Sequence, residues 1–211
     1  MAFDFKKEEK QFYQPSTAPA VVAVPRMRFL AVRGQGDPNE AGGAYQQAIQ
    51  KLYAVAYTLR MSGKGTHKIE GFFEYVVPPL EGFWWQEDAQ GVDYGCKEAF
   101  HWISVLRLPN FVTEEDVAWA AAAAEQKKKL DCSAVEYLSM EEGLCVQALH
   151  LGPFDSEPET VAKMDRFLAE HGYENDFSAQ RLHHEIYLTN AQRTPAPKWR
   201  TVIRHPIKKQ G

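Results

Sequence analysis

Cysteine is scarce: Cys96, Cys132 and Cys145 are the only three in 211 residues, odd in number and without a CxxC pair. Neither a disulfide framework nor a zinc knuckle can be built from that set, and a reducing cytoplasm is the expected setting. Long apolar runs are missing too. No stretch reaches the ~18 residues that a membrane span needs, and the charged start MAFDFKKEEK leads into no apolar segment, so neither anchoring nor export is expected. Charge of one sign is not in excess: 24 Lys and Arg face 28 Asp and Glu, for a formal net charge of -4 and a pI near 6.0. The basic residues are scattered apart from short runs such as Lys127 to Lys129, which argues against direct nucleic-acid binding. What remains is a chain 45% hydrophobic, long enough for one large globular domain or two small fused ones.

The first twenty residues mix Phe3, Phe5, Phe12 and Tyr13 with charges and end in Pro15 and Pro19, which reads as a poorly ordered or surface-draped lead to a domain spanning 21–211. VVAVPRMRFLAVR, 21–33, is β-branched and interrupted by Pro25, so it predicts two short extended pieces or an edge strand with a bulge. Tyr45, Ala48, Ile49, Leu52, Tyr53, Ala56 and Leu59 recur at helical spacing and predict an amphipathic helix ending near Ser62 and Gly63. Strands are predicted at 71–77 (GFFEYVV) and 100–108 (FHWISVLRL), joined by a long connection. Thr113 with Asp116 forms a capping-box pattern that opens a second helix. The segment 133–151 reads as a hairpin turning at Glu142 and Gly143. A helix with Pro158 in its first turn follows and stops before Gly172.

Two strands complete the chain, and the last one matches an earlier one. Residues 102–109 (WISVLRLP) and 199–206 (WRTVIRHP) share Trp, Val, Arg and Pro without a gap. With the order of elements, this predicts a duplicated strand-helix-strand-strand unit, two repeats at about 21–130 and 131–207. The implied fold is α+β, a pseudo-twofold antiparallel sheet with helices on one face and a ligand groove on the other.

The stretch RLHHEIYLT, 181–189, carries the chemistry. Alternation puts His183, Glu185 and Tyr187 on one face and His184, Ile186 and Leu188 on the other. A carboxylate in mid-strand is disfavoured and costly to bury, so its presence asks for a reason: a ligand, with a solvated place on an open sheet face or a salt bridge to Arg181 or Arg204 as equal alternatives from the residues alone. Adjacent histidines face opposite sides and no third ligand is spaced to join either, so no metal and no cofactor is expected. His183 is instead a partner for Glu185.

Four strings, AVRGQGDPNE (31–40), VVPPLEGFWW (76–85), VLRLPNFVTEEDV (105–117) and HHEIYLTNAQRTPAPKWRTVIRHP (183–206), resemble those of the stand-alone bacterial GyrI-like small-molecule-binding proteins. The resemblance implies the duplicated fold used as effector domain by multidrug-responsive activators, with a groove that takes bulky, flat, often cationic compounds on aromatic side chains beside a glutamate. For the stand-alone branch it also implies hydrolysis of cyclopropane-containing DNA alkylators. On matching positions the glutamate is Glu185, with Tyr187 beside it and Trp84 and Trp85 in the connection. Tyr75 and Trp102 join them as candidate groove residues, each with a structural role as its other reading. Of Trp84 and Trp85, adjacent in the chain, one belongs to core and the other to the groove. Three functions follow: a protective hydrolase using Glu185, with Tyr187 or His183 as hydrogen-bond donor; a binding module without chemistry; and, ranked last, an interaction protein acting on DNA gyrase.

Overall fold

The computed structural model describes residues 2–87, 89 and 92–211; positions 88, 90 and 91 of the expected long connection lie outside the described residues. Two single-turn helices, α1 (Phe5–Glu8) and α2 (Lys10–Tyr13), precede the long strand β1 (Ala20–Gln35). Helix α3 (Ala44–Met61), strands β2 (Leu80–Trp85) and β3 (His101–Arg107) and helix α4 (Glu114–Lys128) complete the first half. The second half runs β4 (Glu136–Leu151), α5 (Glu157–His171), β5 (Tyr173–Asn175), β6 (His183–Tyr187) and β7 (Arg200–Lys209). This is the expected α+β class with an antiparallel sheet.

Local chemistry sets the helix ends. In α4, Thr113 Oγ1 accepts from the Asp116 N–H at 3.2 Å and Asp116 Oδ2 accepts from the Thr113 N–H at 2.9 Å, the reciprocal cap that satisfies two otherwise orphaned donors. Helix α5 starts with Pro158 in its first turn and stops at Gly172, whose φ of 72° suits a residue without Cβ. Helix α3 buries Ala48, Leu52, Val55, Ala56 and Leu59 along one stripe. No helix among the described residues is long and apolar enough to cross a membrane.

The strands pair in the order β4-β1-β3-β2-β6-β7, and β4 also pairs with β7, so these six close into a ring; β5 extends β7. Pairings in the two halves correspond: β1–β3 and β2–β3 on one side match β4–β7 and β6–β7 on the other, joined by β1–β4 and β2–β6. The hairpin expected at 133–151 is instead one strand, bent where Gly143 takes φ 67°. At that bend Glu142 and Pro25 drop out of the ladder between β1 and β4. Pro25 lies where β1 has only that one neighbour, so its missing N–H deprives no second strand.

Closing the ring gives the sheet an inner and an outer face. The outer face carries Leu30, Trp84, Trp102 and Leu106 against α3 and α4, and Val146, Ala148 and Ile203 against α5. The inner face carries Phe29, Phe83, Ile103, Val105, Ile186 and Val202, and the N-terminal residues Phe5, Phe12 and Tyr13 pack into it. The expected loose lead is therefore a buried plug: Phe5 is 4%, Phe12 5% and Tyr13 1% exposed. Aromatic side chains outweigh the helix-poor, charge-rich local composition because the ring interior would otherwise be unfilled.

Buried charge lines that interior. His184 Nδ1 meets Glu142 Oε2 and its Nε2 meets Glu81 Oε2, both at 3.0 Å. Because both partners are carboxylates, the ring donates from both nitrogens and is an imidazolium. Burial opposes that charge, but Glu142 and Glu81 outweigh it and raise the His184 pKa. Arg204 donates to Glu142 Oε1 at 2.8 Å and to the Phe12 carbonyl at 3.0 Å, and Tyr13 Oη donates to Glu81 at 3.0 Å. Against its burial, His184 and Arg204 hold the Glu142 carboxyl down at about 2. Arg107 pairs with Glu9 on the same side. The N-terminal segment is thus fastened by hydrogen bonds as well as by apolar contact.

The predicted strand 71–77 does not form; the strand lies later, at Leu80–Trp85. Tyr75 makes only an isolated bridge with Phe3. Its neighbours Phe73 and Val76 stay exposed, so a β-prone composition there finds no strand to pair with.

Candidate functional site

A cavity of about 890 Å³ opens on the outer face, between α3 and the start of α5. Its floor is Trp84 of β2 with Glu185 and Tyr187 of β6; its walls include Tyr45, Tyr53 and Tyr57 of α3 and, from the loops, Tyr94, Phe100, Phe154 and Trp199. The groove therefore lies on the helix-bearing face, not on the opposite face as the sequence suggested. That opposite face is filled by Phe5, Phe12 and Tyr13, which were expected to lie outside the core.

The aromatic walls meet in tilted and edge-to-face pairs. Tyr45 sits 5.2 Å from the Trp84 ring and edge-on to Trp102 at 5.1 Å, and Phe100 meets Trp84 edge-on at 5.5 Å. Phe154 bridges Tyr187 at 5.7 Å and Trp199 at 4.7 Å. Trp84 Nε1 donates to Tyr187 Oη at 3.0 Å, which fixes both rings. Gly82 faces Glu185 across β2–β6. A Cβ on Gly82 would lie 2.6 Å from Trp84 Nε1 and 3.1 Å from Tyr187 Oη, so glycine is what lets this pair form. Burial raises the Tyr187 pKa well above its ordinary value, with the Glu185 charge adding to it, and the phenol stays protonated.

Glu185 lies on the cavity floor with His183 Nε2 at 2.9 Å from its Oε1. His183 is itself backed by His205, Nδ1 to Nε2 at 2.7 Å. Burial, with His183 beside it, depresses the His205 pKa well below the ordinary value and keeps that ring neutral. When His205 donates to His183 Nδ1, His183 Nε2 carries the hydrogen that points at Glu185, so the two rings orient one carboxylate.

The fold adds Glu157, which the sequence did not single out. It is the first residue of α5, wholly buried, and it reaches the same cavity. Tyr94 Oη donates to its Oε2 at 3.2 Å, while Oε1 has no partner among the described residues. Loss of water, then the charge of Glu185, raises the Glu157 pKa well above the carboxylate range. Glu157, His183 and Glu185 bring ligand atoms within 4.8 Å of one another. A third donor does join His183, contrary to the spacing argument: three donors with one side on a cavity are what a catalytic metal site uses. In this arrangement, however, the His183 and Glu185 atoms are already spent on each other at hydrogen-bond distance.

Of the residues singled out from sequence, Glu185, Tyr187 and Trp84 line the cavity and His183 stands behind Glu185. Trp102 lies beneath Tyr45, packed on Gly34, and supports the wall without lining it. Trp85 points to the inner side and stacks on His101 at 5.2 Å; Tyr75 packs against Phe111 and the N-terminal plug. Neither lines the cavity, because Trp85 alternates with Trp84 and Tyr75 packs with the inner-face cluster.

Residues 17–208 match the GyrI-like small molecule binding domain. The chain belongs to that family. This GyrI-like protein is also similar to solved structures from Listeria innocua. One described as a hydrolase is 45% identical with a TM-score of 0.89, covering 98% of this chain and 100% of the other. A second, described as an uncharacterized conserved protein, is 47% identical with a TM-score of 0.91 over the same shares. The EcmrR C-terminal domain, at 12% identity and a TM-score of 0.55 over 90% of this chain and 97% of its own, shares the fold alone. No curated protein matches the sequence.

Proposed function

We propose that this GyrI-like protein takes a bulky, flat aromatic compound into the cavity between α3 and α5 and hydrolyses it, the substrate being an electrophile with a strained cyclopropane ring. The observation that carries the reading is Glu185: a carboxyl on the floor of a cavity walled by aromatic rings, held by His183 at 2.9 Å. The rings stack on the flat ligand and exclude water, which strengthens every charge inside. Glu185 takes a proton from a water molecule, the water oxygen bonds to a ring carbon, and the ring bond breaks. Tyr187, protonated and fixed by Trp84, donates a hydrogen bond to the oxygen on which charge collects. The consequence for a cell is protection from a DNA-reactive compound. The word hydrolase attached to the 45% identical Listeria protein supports this direction.

A second reading is sequestration. The family's description as small-molecule binding and the ring-lined, acid-floored cavity suit a ligand held by stacking and cation–π contact without chemistry. Incubation with a cyclopropane-containing alkylator followed by mass analysis separates the two. Hydrolysis gives a product heavier by one water, and Glu185→Gln abolishes it while ligand binding persists. A compound recovered unchanged at saturating protein leaves sequestration standing.

A further inference from the structure

We propose that Glu157 is the acid of this site: its carboxyl holds one proton, shared with Glu185, and gives it to the oxygen that gains electron density as water adds. The proposal rests on the hydrolytic reading and names the residue that completes it. Four observations carry it. Glu157 is wholly buried; its Oε1 has no hydrogen-bond partner among the described residues; ligand atoms of Glu157, Glu185 and His183 lie within 4.8 Å of one another; and Glu157 and Glu185 both line the cavity.

Two carboxylates so close, out of water, cannot both be ionised without a cation between them. Among the described residues no lysine or arginine faces Glu157. Tyr94 donates to Oε2 from the loop side, Glu185 and His183 face it from β6, and neutral His205 stands behind His183 on β7. Tyr187 on β6 is a protonated phenol. At the mouth Asp155 is paired with Lys97 at 2.9 Å, which leaves no free charge for the interior. The start of α5 favours an anion at its first residue, but weakly and only within the first turn. In the tautomer in which His205 Nε2 donates to His183 Nδ1, His183 Nε2 donates to Glu185, and this asymmetry makes Glu185 the ionised member and Glu157 the protonated one.

In the reaction, Glu185 accepts the proton of the attacking water, and the hydroxyl oxygen bonds to the cyclopropane methylene. The ring C–C bond breaks, and its electron pair moves through the conjugated ring to a carbonyl oxygen, which takes the Glu157 proton and becomes a phenol. Substrate and one water give one product. Glu185 is then neutral and Glu157 ionised, and transfer of the proton between them restores the starting state without outside help. No oxidant or other co-reactant is needed.

The test is Glu157→Gln, which keeps the shape and an acceptor for Tyr94 but has no proton to give. Hydrolysis of a cyclopropane-containing alkylator should fall by about 100-fold or more, with the affinity for an unreactive flat cationic dye unchanged. The wild-type rate should decline as pH rises and Glu157 ionises, and the variant should lose that alkaline limb. Infrared spectra of the intact protein at neutral pH should show the carbonyl stretch of a buried carboxylic acid, absent in the variant. Undiminished turnover in the variant, or a wild-type spectrum without that band, overturns the proposal. So does stoichiometric Zn2+ binding that Glu157→Gln abolishes, since metal would ionise both carboxyls. A wild-type protein that shows the band yet leaves every such substrate intact supports the shared proton and sinks the hydrolytic reading instead.

Discussion

His183 and Glu185 stand two residues apart on β6 and meet side chain to side chain, Nε2 to Oε1, at 2.9 Å. A period of two makes them neighbours on one face, and β7 places His205 behind the pair at 2.7 Å. His183→Phe keeps the volume and removes the donor. A hydrogen bond to a charged group is worth roughly 1.5–3 kcal/mol, so kcat should fall about ten- to a hundredfold with little change in KM. A rise in KM with kcat intact would mean that His183 shapes the cavity and does not orient the base.

Gly82→Ala should damage the site from beneath. The added methyl would lie 2.6 Å from Trp84 Nε1, forcing apart the Trp84–Tyr187 hydrogen bond of 3.0 Å. The fold survives, because the crowding falls on side chains at the cavity floor. Dye affinity should drop by about tenfold, or roughly 1.4 kcal/mol, with an unchanged far-ultraviolet circular dichroism spectrum. Equal affinity in the variant would show that Trp84 is free to move.

Inside the ring, Arg204 is a stability residue. Arg204→Met leaves Glu142 and Glu81 with His184 as their remaining buried cation among the described residues within hydrogen-bond reach of both. Breaking a buried pair by removing one partner costs about 3–5 kcal/mol, which for a chain of this size lowers Tm by roughly 10 °C or more. Adding Glu142→Gln should restore part of the loss. If the double variant falls below wild type by the sum of the two single losses, the two side chains act independently.

Two carboxyls give stability opposite pH slopes. Glu142 is held at about 2 in the folded chain against an ordinary value of 4.5, so its contribution is complete above 4.5 and disappears as pH falls toward 2. Glu157 is raised, so its contribution is present below 4.5 and is lost as pH climbs through its folded pKa. Glu157→Gln should accordingly be more stable than wild type at neutral and alkaline pH and nearly equal to it at pH 4. Urea unfolding across that range checks both, and a variant equally stable at pH 4 and pH 8 relative to wild type contradicts the raised pKa.

The legible part of the site was the part that one strand contains. Alternation in RLHHEIYLT puts His183, Glu185 and Tyr187 on one face, and that face lines or backs the cavity. Glu157 was illegible because an acid in a helix's first turn already has a local explanation in the helix dipole. Only the meeting of α5 with β6 places it against Glu185. Strand β2 was hidden by Pro78 and Pro79 before it and by Glu81 and Gly82 within it. Both are unfavourable in strands, and both answer to partners far along the chain: Glu81 to His184 and Tyr13, Gly82 to Glu185. The N-terminal aromatics misled for the same reason, since nothing near Phe12 in sequence announces the hollow that it fills.

Because β4 meets β7 and Tyr13 packs inside the ring, the sheet beneath the cavity floor is backed by close-packed side chains. Whatever arrives at Glu185, substrate or water, therefore comes from the side that carries α3 and the start of α5.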